Sequence, residues 1–378
     1  MVSALLPLRA WTAGELLRSL LKRRHVITHL KGTVLRHLAT IARLRDALEA
    51  AELRHKETRA RLDTRRHASL KHAVLRQLMP HRARHLPLMA HDAAAAEARD
   101  AHLQATSPAY HDALAMTDAA AAPLSRVEID GLRWWVPIDA ASQERIDRAK
   151  AQGFPYRAIL QTREVAIGGV MLDVGANIGR TSIPRVMLGD VRAVYAAEPE
   201  PANYACLVRN VVEHRLRGLV MPDRVAIGER RGEARLQRSR YIGGHRVLDA
   251  GAEAPDDSVP VDVWSIDEWV GRLGIEADAV TFVKVDTQGS EVGVLRGAAS
   301  LVGRRHISWL IEVDPKLLRR ARADVAELVE LLERHFSHCI DIGHDPGPRV
   351  RPTSDLRQSL AYLGTRRTKT DLLVFHAA

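Results

Sequence analysis

The chain has 378 residues and a formal net charge of +10, with 46% hydrophobic and 27% charged residues. This length allows two or three domains, and the ordinary balance of apolar and charged residues argues against global disorder. Two cysteines exclude a disulfide scaffold, so a reducing compartment, the cytoplasm, is expected. The sequence has no apolar run of about 18 residues, so no membrane-spanning helix is expected. Its first residues match a secretory signal poorly.

The positive charge is concentrated at the amino-terminal end. Residues 1–85 hold 19 Lys and Arg against 6 Asp and Glu, whereas the rest of the chain is slightly acidic. From Ile27 to Ala51, apolar residues recur at spacings of three and four, and this heptad pattern predicts a coiled-coil helix. Beyond Ala51 the pattern is lost, and Pro80 and Pro87 end regular helix. The sequence thus predicts an α-helical, partly coiled-coil arm.

The sequence is compatible with three functions for this arm. The alternatives are an oligomerisation helix, a phosphate-binding surface for nucleic acid or anionic membrane, and a plain solvated helix. The heptad pattern favours the first, so a homo-oligomer is expected. Modules that read phosphate usually add aromatic or glycine-bearing segments, which the arm lacks, so the second is not favoured. Residues 92–122 are rich in alanine and predict loose helix or linker.

The second part of the chain predicts alternating strands and helices. Asp130-Gly131 between two alternating segments predicts a β-hairpin over 126–139. Short apolar segments bounded by turns then predict strands over 169–175, 193–199, 218–223, 280–286, 307–313, 338–343 and 371–377. Helical stretches separate most of them, which is typical of a doubly wound sheet whose working loops follow the carboxyl ends of the strands. We therefore divide the chain into a helical arm with linker, 1–123, and an α/β domain, 124–378.

The first strand–helix turn of this domain carries features of a nucleotide site. The strand leaves through Asp173, and the loop contains Gly175 and Gly179, where the backbone can pass close to a ligand. Asn177 is a residue type that tolerates a left-handed conformation. Asn177 and Arg180 replace the second and third glycines of the dinucleotide-binding motif, which disfavours a nicotinamide cofactor.

An acidic residue follows at the distance that a nucleoside site requires. Glu198 ends the next strand, 25 residues after Asp173, where a carboxylate can accept two hydrogen bonds from a ribose diol. The two segments together predict a nucleoside site whose ligand need not carry a pyrophosphate.

Three segments in this order, DVGANIG, AAEPEPANYACLVRN and FVKVDTQGSEVGVLRGA, closely resemble the FkbM family of S-adenosylmethionine-dependent methyltransferases. The resemblance runs from about Val127 to Phe375. It implies a class I methyltransferase fold, a Rossmann-like doubly wound sheet of seven strands with the last strand antiparallel, and S-adenosylmethionine as cofactor. By the family pattern, Glu198 holds the ribose, the segment 224–228 with Ala226 lies by the adenine, and the methionine part of the cofactor is surrounded by Asp173, Gly175, Asn177 and Gly179.

The carboxyl end of the fourth predicted strand is the expected place of the chemistry. Lys284 and Asp286 point to the same face, because side chains alternate along a strand. We predict Asp286 as a base, an acceptor-orienting group or a metal ligand; the alternative is a strand-end carboxylate paired with Lys284. For Lys284, catalysis and a structural ion pair are both open. Glu312, near the end of the next strand, either borders the same cleft or is a buried, paired carboxylate.

Missing motifs narrow the choice of acceptor. Methyltransferases acting on exocyclic amines of bases usually carry an acidic or Asn residue, Pro-Pro and an aromatic residue at the end of strand four, where this chain reads Asp286-Thr287-Gln288-Gly289. An oxygen acceptor is therefore favoured. Such an acceptor benefits from a base or a divalent metal, but the sequence has no HExxH, CxxC or P-loop, so no specific motif supports a metal.

We therefore predict an S-adenosylmethionine-dependent O-methyltransferase acting on a hydroxyl of a sugar, glycan or small metabolite. The alternative is a non-catalytic nucleoside-binding protein whose basic arm binds nucleic acid or anionic membrane. Acceptor specificity is expected in the hairpin 126–139, in the loop 240–258 with Tyr241 and His245, and in the stretch 343–369.

Overall fold

The computed structural model describes nine segments of the chain. These are residues 93–116, 124–138, 140–154, 157–166, 168–239, 244–248, 256–343, 349–357 and 369–376. The basic arm with its heptad pattern lies outside them, so the coiled coil stays a prediction. In these segments no helix combines the length and the apolar character that crossing a membrane requires.

Helices and strands alternate through most of the described chain. The helices are α1 (Ala93–Thr106), α2 (Pro108–Ala115), α3 (Ala140–Gln152), α4 (Arg157–Gln161), α5 (Arg163–Ala166), α6 (Ser182–Met187), α7 (Pro201–Glu213), α8 (Ile266–Arg272), α9 (Glu291–Arg296), α10 (Pro315–Arg320) and α11 (Val325–His335). The strands are β1 (Leu124–Ile129), β2 (Leu132–Pro137), β3 (Val170–Val174), β4 (Ala193–Ala197), β5 (Val220–Asp223), β6 (Ala226–Gly228), β7 (Gly232–Gln237), β8 (Arg246–Val247), β9 (Val259–Ser265), β10 (Val280–Val285), β11 (Ser308–Val313), β12 (His338–Asp341), β13 (Arg351–Pro352) and β14 (Thr370–Phe375).

The main sheet has the strand order β13-β12-β14-β11-β10-β3-β4-β5. Strands β3, β4, β5, β10 and β11 run parallel, and β14 lies antiparallel between β11 and β12. Each strand predicted for the sheet is present, and the expected antiparallel orientation of the last strand is confirmed. The expected number of seven is wrong, because the two-residue strand β13 pairs with β12 and makes eight.

Both faces of the sheet are buried. Alternate residues enter two separate apolar clusters, with Met171 and Phe282 on one face and Leu172 and Val283 on the other. Helix α7 covers the first face, and α9 and α11 cover the second. Because strands buried on both faces are mostly apolar, they appear in the sequence as near-continuous apolar runs, which only a few buried ionisable residues interrupt. The doubly wound prediction is confirmed.

The predicted β-hairpin is present as β1 and β2. Asp130 and Gly131 have φ values of +57° and +72°, the left-handed pair that a tight two-residue hairpin turn needs. The hairpin is fixed to α7 by the buried Asn210 side chain. Its amide donates to the carbonyl of Trp135 at 3.0 Å, and its oxygen accepts from the N–H of Trp135 at 2.6 Å.

Helices α1 and α2 decide between the two alternatives predicted for 92–122, helix or linker, within residues 93–116. The Tyr110 hydroxyl is buried and donates to Asp100 at 2.5 Å, and Arg217 pairs with the same carboxylate at 2.6 Å. The Arg99 guanidinium donates to the carbonyl of Gly218 at 2.6 Å. Residues 93–116 are therefore helical, as one alternative predicted, and they pack against the α/β domain instead of forming a loose connection.

A second, four-stranded sheet with the order β6-β9-β7-β8 was not predicted. Its first strand, β6, begins three residues after the end of β5, so β6 lies beyond the carboxyl end of that strand. Ser265 and Glu268 form a capping box that begins α8 at the end of β9. This sheet supplies one wall of the cavity described next.

Candidate active site

A cavity of about 610 Å³ opens at the carboxyl ends of β3, β4, β10 and β11. This is the point where the chain order reverses, because β4 lies on one side of β3 and β10 on the other, and ligands of such sheets bind there. The cavity is lined by seven of the nine predicted site residues: Gly175, Asn177, Glu198, Ala226, Lys284, Asp286 and Glu312. Asp173 and Gly179 lie behind its wall.

The structure requires glycine at both positions of the first loop, Gly175 and Gly179, but for different reasons. Gly175 has a φ of +79°, and a Cβ atom there would lie 1.9 Å from the carbonyl oxygen of Asp286, so only glycine lets these two segments meet. Asn177 has a φ of +54°, which confirms the left-handed conformation expected for it. At Gly179, by contrast, a Cβ atom would meet the side chains of Ile183 and Leu207 at 2.9 Å. Gly179 also has a φ of +90°, so both the backbone conformation and the packing require glycine there, and its place beside the cofactor stays a prediction.

The carboxylate of Glu198 is held at the cavity wall by two backbone donors. It accepts from the N–H of Asn177 at 2.7 Å and from that of Glu200 at 3.0 Å. Burial raises the pKa of Glu198 to about 7, although these two hydrogen bonds act in the opposite direction. A carboxylate oxygen accepts more than one hydrogen bond. Glu198 therefore keeps acceptor capacity for a ligand.

Asn203 lies in the first turn of α7 and has a buried side chain. It does not cap α7, because Glu200 does so by accepting from the N–H of Asn203 at 2.7 Å. The side-chain oxygen of Asn203 is buried at the cavity wall and has no hydrogen-bond partner in the described part of the chain. Buried polar atoms without a partner are uncommon, and a ligand that donates a hydrogen bond would satisfy this one. The neighbouring wall is apolar and consists of Val225, Ala226 and Ile227.

Lys284 is the central cation of the site. Its ammonium donates to the carbonyl of Gly175 at 2.6 Å and lies 3.1 Å from Asp173 and 3.8 Å from Asp286. The strand register places Lys284 opposite Asp173, which explains the ion pair. Burial alone would lower the pKa of Lys284, but the two carboxylates raise it above its ordinary value, so the ammonium stays charged. Asp173 also accepts from the hydroxyl of Ser182 at 2.5 Å, and it supports Lys284 from below the cavity.

Asp286 and Glu312 form a carboxyl pair at the ends of β10 and β11. The Gln288 side-chain amide donates to both, at 2.7 Å each, and Lys369 pairs with the other oxygen of Glu312. Partial burial would raise the pKa of Asp286, but Lys284 and the hydrogen bonds lower it below its usual range. Burial and the neighbouring charge of Asp286 raise the pKa of Glu312 to about 8. The environment thus separates the two carboxyl groups into one that is ionised and one that titrates near neutral pH.

The loop after β10 is closed by Glu291. Its carboxylate accepts from the N–H and the hydroxyl of Thr287, both at 3.0 Å, and from the N–H of Gly289 at 3.1 Å. Gln288 between them has a φ of +60°, an unusual value for a residue with a side chain. Glu291 therefore holds the loop in the conformation in which Gln288 bridges the carboxyl pair.

The segments predicted to determine acceptor specificity differ in whether they reach the cavity. The hairpin 126–139 packs on α7, and its described part does not line the cavity, so its role in acceptor specificity stays a prediction. His245 and Lys369 lie on the cavity wall, and the His245 ring accepts from the N–H of Ser239 at 3.0 Å. Tyr241 lies outside the described residues. Four cavity residues lie on segments for which the sequence indicated no role in the site: Phe154, Lys316, Arg320 and Asp371.

The cysteines and the grouping of possible metal ligands complete the description of the chemistry-bearing side chains. Cys206 and Cys339 are buried free thiols, which is the usual environment of a cysteine that acts as a small apolar residue. Among the described residues, no group of three or more His, Cys, Asp or Glu side chains is arranged to hold a metal ion.

Comparison with known proteins assigns the domain to a family. Residues 173–338 match the sequence model of the methyltransferase FkbM domain. The 31-O-demethyl-FK506 methyltransferase FkbM of Streptomyces tacrolimicus is 28% identical over 194 residues, which cover 42% of this chain and 73% of that protein. The chain contains an FkbM-family methyltransferase domain. The FkbM match includes every predicted cofactor and catalytic residue, whereas Phe154 and Lys369 lie outside it.

Two solved methyltransferase structures match parts of this chain at low sequence identity. The methyltransferase FkbM of Methylobacillus flagellatus has 18% identity and a TM-score of 0.37, with 73% of this chain and 60% of that chain covered. The match therefore spans less than two thirds of the Methylobacillus protein. Precorrin-6y C5,15-methyltransferase of Geobacter metallireducens has 13% identity and a TM-score of 0.32, with 58% of this chain and 86% of that chain covered.

Proposed function

We propose that this methyltransferase uses S-adenosylmethionine and methylates a hydroxyl oxygen of a sugar, glycan or small metabolite. The observation that carries the proposal is a single cavity that joins a nucleoside-type wall to a carboxyl pair with separated pKa values. The name of the Streptomyces relative describes methylation at an oxygen, which supports the same acceptor class.

The residues present fit S-adenosylmethionine. Glu198 keeps acceptor capacity for the ribose diol, and the unpartnered oxygen of Asn203 lies at the same wall. The apolar segment around Ala226 suits the adenine ring, and the loop from Gly175 to Asn177 would surround the methionine part. When bound, the cofactor supplies a methyl group on a positively charged sulfur, which needs little further activation.

The chain's own residues then position the acceptor and remove its proton. Lys284 keeps Asp286 ionised, so Asp286 can accept a hydrogen bond from the acceptor hydroxyl and orient it. Glu312, with a pKa of about 8, gains negative charge as the pH rises and is the proton acceptor in this proposal. Gln288 and Lys369 fix its carboxyl group next to Asp286.

Calorimetry with S-adenosylmethionine tests the cofactor site. We expect weaker binding by the full chain carrying Asp173→Ala or Glu198→Ala, and unchanged binding by Glu233→Gln, a control that removes an exposed carboxylate on β7. Equal affinity in all these proteins would overturn the site assignment. Mass spectrometry of a cell extract incubated with the protein and methyl-labelled cofactor tests the acceptor class, and a label found only on nitrogen or carbon would refute the hydroxyl acceptor.

We also propose that the protein is cytoplasmic and that its amino-terminal arm mediates self-association. The heptad pattern between Ile27 and Ala51 supports the second proposal. Light scattering of the full chain tests it. An oligomer that dissociates on Ile41→Asp would support the assembly role, and an unchanged mass would contradict it.

A further inference from the structure

Two positively charged side chains at the rim of the cavity make no hydrogen bond or ion pair with the described part of the chain. Lys316 and Arg320 are exposed on α10, four residues apart, so their side chains lie on the same side of the helix about 5–6 Å apart. Both line the cavity. Among the described residues, neither side chain has a hydrogen-bond or ion-pair partner.

Two further cations of the cavity are engaged. Lys284 pairs with Asp173 and Asp286, and Lys369 pairs with Glu312. The acidic residue closest to Lys316 along the chain is engaged as well. Asp314 caps α10 by accepting from the N–H of Lys316 at 2.8 Å. Lys316 and Arg320 therefore differ from Lys284 and Lys369, because they face the cavity without a carboxylate partner among the residues that the structure describes.

A third cation lies next to Arg320 on the second sheet. The Arg246 guanidinium on β8 donates to the carbonyl of Arg320 at 3.3 Å and to the side chain of Gln237 at 2.8 Å. This contact joins β8 to the end of α10 and brings another positive charge close to Arg320, although Arg246 itself does not line the cavity. Like charges that converge on a cavity repel one another, and a bound oxyanion removes that repulsion.

We propose that Lys316 and Arg320 bind an oxyanion, a phosphate or a carboxylate, that the methyl acceptor carries. This inference rests on the proposed function, since it names the class of acceptor for the same cavity. Asp286 and Glu312 would repel an oxyanion at the reacting oxygen. The charged group therefore lies at the rim, and the hydroxyl that receives the methyl group lies at the carboxyl pair.

Calorimetry with inorganic pyrophosphate and with citrate, on the full chain saturated with S-adenosylhomocysteine, tests the proposal. We expect both or one of these anions to bind, and the double variant Lys316→Gln, Arg320→Gln to weaken binding on the order of tenfold or more. Tighter binding of pyrophosphate would indicate a phosphate group on the acceptor, and tighter binding of citrate would indicate a carboxylate. Arg319→Gln is the matched control, because it removes the same charge from the same helix at a residue that does not line the cavity.

Several outcomes would overturn the proposal. They are the absence of anion binding to the wild-type chain, equal binding by all variants, and an equal loss in Arg319→Gln. A methyl-labelled product from the cell extract that is not retained on an anion exchanger would overturn it as well. Titrations of the same proteins with S-adenosylmethionine, before any S-adenosylhomocysteine is added, separate the two hypotheses. A wild-type chain that does not bind S-adenosylmethionine is evidence against the proposed function, whereas the rim proposal predicts unchanged cofactor affinity in the double variant.

Discussion

Replacing Glu198 by glutamine should weaken binding of S-adenosylhomocysteine and remove its dependence on pH. The Glu198 carboxylate is fixed by the N–H groups of Asn177 and Glu200, and burial raises its pKa to about 7. Ribose hydroxyls donate more strongly to an ionised carboxylate than to a neutral carboxyl group. Binding therefore selects the ionised form, and the affinity increases as the pH rises through 7.

The size of the effect follows from the ionised fraction. With a pKa of about 7, about one tenth of Glu198 is ionised at pH 6 and about nine tenths at pH 8, so the apparent Kd should be roughly tenfold higher at pH 6. A hydrogen bond to a charged group contributes about 1.5–3 kcal/mol, so Glu198→Gln should weaken binding at pH 8 by about ten- to a hundredfold.

Calorimetric titrations at pH 6, 7 and 8 measure both effects. The same series with adenosine isolates the ribose, because adenosine has the diol but lacks the titrating amino-acid part of the cofactor product. Glu233→Gln controls for the loss of a surface carboxylate. An affinity for adenosine that is flat across this range in the wild-type chain, or an equal slope in the Glu198→Gln variant, would refute the reasoning.

Three further predictions concern the charges around the carboxyl pair. Lys284→Met leaves Asp173 and Asp286 without their cation, so the free energy of unfolding in urea should fall by about 3–5 kcal/mol, and a loss below 1 kcal/mol would contradict this. Gln288→Leu removes two hydrogen bonds of 2.7 Å, so methyl transfer to the identified acceptor should slow by about tenfold or more with cofactor affinity unchanged. In the wild-type chain turnover should rise as the pH passes through about 8, and Glu312→Gln should abolish that rise; a rise of the same size in the variant would exclude Glu312 as the base.

The strands of the main sheet could be predicted because their physical requirement is visible in the sequence. Strands such as β10 and β11 are buried on both faces and are therefore mostly apolar, and turn residues bound them. β13 was not predicted because its two residues are too few to show a pattern. β7 was not predicted because half of its residues are exposed, so it lacks an apolar run.

The cavity was predictable where one segment supplies several of its residues. The loop after β3 and the end of β10 each bring their side chains together by local geometry, as with Lys284 and Asp286 on one face of a strand. Lys369 could not be found this way. It reaches Glu312 only because β14 inserts between β11 and β12, and no local signal in the sequence marks that long-range contact.

The charges around the carboxyl pair connect the fold with the chemistry. Lys284 and Lys369 face the carboxyl groups of Asp173, Asp286 and Glu312, and the carboxyl group of Asp371 lies near the same two lysines. Carboxyl groups therefore outnumber the lysines, and burial together with the charge of Asp286 raises the pKa of Glu312. Ionisation of Glu312 places a second negative charge beside Asp286, where the acceptor hydroxyl is proposed to lie. The same arrangement that stabilises buried charges thus produces a base that is strong enough to accept the proton near neutral pH.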